Sequence, residues 1–195
     1  RGVDTEEVFT PPRVIDLATE ADFEYFTAFG GEIAAKNEII SIVNQVDGIY
    51  NTHFGLRFSI VFQNVWATSS DPYTLTDPDD ALDEFKAYWD ANNISVGRDL
   101  VHMWTGKDFT GSTIGIAYRP GMDCPLGPFG YGMSERLATS PAKFLLTAHE
   151  IGHNFNYTVA FDQFARGSSW LAFGEVHATY GAMWNLWAFR SCPTG

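Results

Sequence analysis

DLVHMWTGKDFTGSTIGIAY, residues 99–118, and SPAKFLLTAHEIGHNF, residues 140–155, decide how this chain folds. In the first, Asp99 to Thr105 and Ser112 to Tyr118 are two apolar, partly β-branched runs on either side of the turn-forming TGKDFTG. Residues of that kind suit a pleated surface, and the spacing predicts two strands. The second opens on Pro141 and repeats Phe144, Ala148, Ile151 and Phe155 at intervals of four, three and four. Those intervals mark one face of a helix, and proline is tolerated in its first turn.

The same reading extends upstream. RVIDLA suits a short strand, and a long helix is predicted from Ala28 to Tyr50, where Ile33, Ile40, Val43, Val46 and Tyr50 recur at three, four and seven before Gly55 ends it. Leu56 to Ala67 is a further strand, with Phe58, Ile60 and Phe62 on one face and Ser59, Val61 and Gln63 on the other. DPDDALDEFKAYWDANN carries Leu82, Phe85, Tyr88 and Trp89 at helical spacing. Asp77, Asp79 and Asp80 ahead of it suit either calcium or a helix N-terminus, and the second is the ordinary use of carboxylates there. Gly121 to Gly132 reads as a looser, Gly- and Pro-rich region. Strands alternating with helices predict an α/β fold on a mostly parallel sheet, a single domain over residues 1–195 with residues 1–12 as an extended tail.

Composition narrows the function. Twenty-four acidic against 12 basic residues give a formal charge of −12, which opposes nucleic acid and anionic lipid as partners. No apolar run reaches the ~20 residues of a membrane-spanning helix. The N-terminal RGVDTEEVFTPPRV lacks a charged start and an apolar run, so any secretion signal is expected to lie outside this sequence. Cys124 and Cys192 match no paired redox or zinc pattern; they are either one disulfide, which implies an oxidising compartment, or two buried thiols.

Chemistry concentrates at His149-Glu150-Ile151-Gly152-His153. Histidines four apart on a helix project from one face, one turn from each other, and suit one zinc ion. Glu150 between them is placed to act as general base on a water in an open coordination position. A short pattern of this kind also arises on surface helices with no metal. Here an apolar stripe runs beside the histidines, which puts them at the edge of a core. His53 and His102, at a helix exit and inside a strand, read as structural.

With those residues in view, DLVHMWTGKDFTGSTIGIAYRPGMDCPLGPFGYGMSERLATSPAKFLLTAHEIGHNFN resembles the core of the reprolysin-like (adamalysin-like) metallopeptidases of the metzincin clan. The likeness extends loosely back through ADFEYF and forward to a Met-turn at Ala182-Met183-Trp184. It implies a metzincin-like catalytic domain, a mixed, mostly parallel sheet with an antiparallel edge strand and long helices, one of them the zinc helix. It also implies a secreted, monomeric endopeptidase with zinc as cofactor and proteins or peptides as substrates. Gly115, Ile116 and Ala117 would offer backbone hydrogen bonds to an extended substrate, and Met183 would lie beneath the metal without binding it.

The metzincin motif H-E-x-x-H-x-x-G-x-x-H is incomplete in HEIGHNFNYTV. Asn156 stands at the glycine position, where its ease in the left-handed conformation still permits a helix end. Val159 stands at the third-ligand position and cannot bind zinc. Asp162, His177 and Glu175 are the substitutes in the sequence, the last in the manner of thermolysin-like enzymes. Without a substitute, the alternative is a protease-derived binding module with weakened or lost catalysis.

Overall fold

The computed structural model describes residues 12–119 and 130–155. In chain order it contains β1 (Arg13–Ala21), α1 (Phe23–Phe29), α2 (Glu32–Phe54), β2 (Leu56–Val65), α3 (Pro78–Asn92), β3 (Leu100–Thr105), β4 (Gly115–Ala117), β5 (Tyr131–Glu135) and α4 (Ser140–Asn154). The strands form one sheet in the order β2-β1-β3-β5-β4. All neighbouring pairs are parallel except β4 with β5. This is the mostly parallel α/β sheet that the sequence pattern predicts, with the antiparallel outer strand that the resemblance implies.

Helices cover both faces. Ile15, Leu17, Leu100 and Trp104 pack with α2 and α4 on one side; Ala18, Val101, Met103, Tyr131 and Met133 pack with α3 on the other. A central parallel strand buried on both faces reads as a continuous apolar run, and β3 is buried at every position.

Three local features depart from simple periodicity. The long helix divides at Gly30 and Gly31, whose φ angles of 75° and 149° only glycine adopts readily. Gly30 and Gly31 donate back to Thr27 and Phe26, which ends α1 and restarts the chain as α2 on a different stripe. Ile39 and Ile42 therefore fill the core, while Ile33 is 79% exposed. In β2 the pairing with β1 jumps from Leu17↔Ile60 to Ala18↔Phe62, leaving Val61 as an extra residue. The bulge turns Phe62 to the opposite face from Phe58 and Ile60, where it meets the Trp89 ring edge-on at 5.4 Å. Finally, β5 occupies the end of the stretch that reads as loose in sequence. The acidic cluster is a helix cap: Asp77 accepts from the backbone N–H groups of Asp79 and Asp80 at 3.1 and 3.3 Å.

On the α4 side of the sheet, His102 is 1% exposed. Its Nε2 lies 2.9 Å from Ser134 Oγ, and its Nδ1 has no hydrogen-bond partner among the described residues. Burial holds the imidazole well below its usual 6.5, at about 3. A depressed histidine is folded-state neutral, whereas the unfolded chain takes up a proton below about 6.5. Its contribution is complete above that value and is lost as the pH falls towards 3, by about 1.4 kcal/mol per pH unit. The urea midpoint is expected to fall more steeply on acidification in the wild type than in His102→Gln. Parallel profiles would exclude the imidazole as the cause.

Candidate metal centre

α4 is fixed to the body of the domain along its length, and this sets the position of the face that carries His149 and His153. Near its middle, Tyr50 Oη donates to the Ala148 carbonyl at 2.8 Å, and Trp104 Nε1 donates to Thr147 Oγ1 at 3.3 Å. At its end, Asn154 Nδ2 donates to the carbonyls of Tyr118 and Tyr131 at 3.0 and 2.9 Å, bridging the exits of β4 and the entry of β5. Lys143 pairs with Glu38 of α2 at 2.6 Å. Ala148, Ile151 and Phe155 enter the core beside Trp104, as the apolar stripe predicts, with Phe144 packed against them.

His149 and His153 project from another face of the helix, both half-buried. Their Nε2 atoms stand 2.9 Å apart and their rings 4.4 Å apart, nearly perpendicular. Two nitrogens at ~2.0–2.1 Å from one tetrahedral zinc are separated by about 3.3 Å, so a small rotation of either ring produces the required pair. The donor set thus fits two positions of a zinc site. Among the described residues no third His, Cys, Asp or Glu joins them in a cluster able to hold a metal. Val159, Asp162, Glu175, His177, Met183, Cys124 and Cys192 all lie outside the described residues.

Glu150 is 3% exposed, and burial pushes its carboxyl up to about 8. It packs against β4, where a Cβ placed on Gly115 would stand 2.6 Å from Glu150 Oε1. β4 is the outer strand of the sheet among the described residues. Its pairing with β5 places Ile116 opposite Met133, and hydrogen bonds run from Glu135 N to Ile114 O and from Tyr118 N to Tyr131 O. Antiparallel pairs alternate, so Ile114, Ile116 and Tyr118 turn their backbone groups towards β5. Gly115 and Ala117 turn theirs towards the outer edge. Of the three residues expected at the substrate strand, two therefore have backbone groups on that edge.

A reprolysin-type family model, described as Metallo-peptidase family M12, matches residues 11–158. The chain belongs to metallopeptidase family M12. The match includes His149, Glu150 and His153 and stops one residue before Val159. A solved structure described as "Structure of a chaperone-substrate complex" shares the fold of this M12 domain, with a TM-score of 0.59 at 17% identity over 75% of the chain. The chain spans 24% of that protein's length.

Sequence reasoning puts His149, Glu150 and His153 on one helix and Gly115 to Ala117 in a strand, where the structure has them, but misses the residues that hold those elements in place. Asn154 is 1% exposed at the end of α4, and among the polar residues of HEIGHNF no local pattern marks its bridging role. Nothing local marks Ser134 as the partner of His102. No described helix is long and apolar enough to cross a membrane.

Proposed function

We propose that this M12 domain is a secreted zinc-dependent endopeptidase that cleaves extended segments of proteins or peptides, with Glu150 as general base. The convergence of His149 and His153 Nε2 within 2.9 Å, one position from a buried carboxylate, is the observation that carries this reading. His149 and His153 would hold the zinc, which when bound supplies Lewis acidity for water activation and carbonyl polarisation. Glu150 takes the proton from the attacking water and returns it to the departing amine. A substrate segment lies along β4 as an added strand, exchanging hydrogen bonds with Gly115 and Ala117, while Ile116 holds β4 to β5. An extended peptide is the natural partner of such an edge because its own backbone groups are unpaired.

Purified protein is expected to cleave casein, to lose that activity on chelation and to recover it with added zinc. Cleavage insensitive to chelators would sink the metal-dependent mechanism.

A second reading rests on Val159, which occupies the third-ligand position of the metzincin motif. Under it the domain keeps the fold as a binding module and cleaves nothing, with or without zinc. Glu175→Gln, Asp162→Asn and His177→Gln, compared for zinc retention, identify the substitute ligand in the active enzyme.

A further inference from the structure

We infer that Gly115 is a positioning residue for Glu150: the missing side chain at this edge-strand position sets how close the carboxylate lies to the strand that receives the substrate. The catalytic consequence rests on the peptidase reading; the contact itself does not.

Gly115 is not needed for backbone conformation, since it is absent from the glycines with positive φ. Its role is spatial. A Cβ there would stand 2.6 Å from Glu150 Oε1, 3.0 Å from Glu150 Cδ and 2.7 Å from Leu146 Cδ1. Gly106 and Gly130 differ in kind, because a Cβ at either would meet backbone, at 2.3 Å from Glu24 C and 2.6 Å from Asp99 O. At those two a side chain forces chain segments apart. At Gly115 the nearest atoms are the ends of two side chains rather than backbone, so alanine is expected to leave the fold in place and displace the carboxylate. The same residue turns its N–H and C=O to the outer edge of β4. Base and substrate backbone are thereby referred to a single residue, and the distance between them is set by van der Waals contact with its Cα.

The test is a double-mutant cycle of Gly115→Ala with Glu150→Ala, read first by urea midpoint in the metal-free protein. Gly115→Ala is expected to lower the midpoint in the wild-type background and to lower it less once Glu150 is truncated. Additive midpoints would overturn the inference. The second reading is kinetic. Zinc-loaded Gly115→Ala is expected to keep its zinc and its KM within about threefold, while kcat falls roughly ten- to hundredfold, as for an ångström-scale misplacement. Coupled midpoints with unchanged kcat would also overturn it, because the contact would then position nothing. If the wild type cleaves no peptide, the peptidase reading fails separately, and the stability cycle alone decides whether Gly115 fixes Glu150.

Discussion

Glu150→Gln is expected to reduce kcat for peptide hydrolysis by about 10³-fold while zinc content and thermal midpoint stay close to the wild type. The amide is nearly isosteric with the carboxyl, so the packing against Gly115 and Leu146 survives. What disappears is the ability to accept a proton. General acid–base catalysis by one positioned group contributes roughly 10² to 10⁴-fold, and here the same group serves both the attacking water and the departing amine. The residue is not among the metal donors proposed, so zinc retention should be unaffected. Cleavage within about threefold of wild type would remove Glu150 from the chemistry.

The largest effect on stability is expected from Trp104→Ala. Trp104 is 1% exposed in β3, directly beneath α4, where it packs with Ala148 and Ile151 and donates to Thr147. Its ring also meets that of His102 at 4.6 Å. Truncating a buried tryptophan costs about 3–5 kcal/mol, a large part of the ~5–15 kcal/mol that holds a typical domain together. Trp104→Phe keeps most of the ring and loses only the indole donor. Thr147 Oγ1 still donates to the Lys143 carbonyl at 3.1 Å, so no hydroxyl proton is stranded by that change. Urea titration should therefore rank wild type, Trp104→Phe and Trp104→Ala in falling order, with the alanine variant well separated. An alanine variant within about 1 kcal/mol of wild type would mean that α4 is held mainly from elsewhere.

The parts of the fold that were legible in sequence are those set by local pattern. The α4 stripe, the β3 run and the Asp77 cap follow from residues within one or two turns of each other. The division between α1 and α2 falls at Gly30-Gly31, ahead of the periodic run that begins at Ile33, so a helix started at Ala28 overruns a glycine pair that ends one helix and starts the next. β2 shows a different problem: Phe58, Ile60 and Phe62 alternate with Ser59, Val61 and Gln63 without a break, so nothing in LRFSIVFQNV marks Val61 as the bulge that turns Phe62 over. β5 was hidden because it needs a glycine under His102, where a Cβ on Gly132 would stand 3.1 Å from Nδ1. That requirement comes from a residue 30 positions away in sequence. The site divides in the same manner. His149, Glu150 and His153 are neighbours in sequence and readable as a motif, whereas the contact between Glu150 and Gly115 exists only after the sheet has formed.

Zinc binding by the wild type and by His149→Ala/His153→Ala tests the central claim most directly. Equilibrium dialysis against zinc followed by elemental analysis is expected to give one zinc per wild-type chain and none in the double variant, with both proteins folded. An equal zinc content in the two proteins, or a wild type that takes up no zinc, would contradict a metal centre on α4.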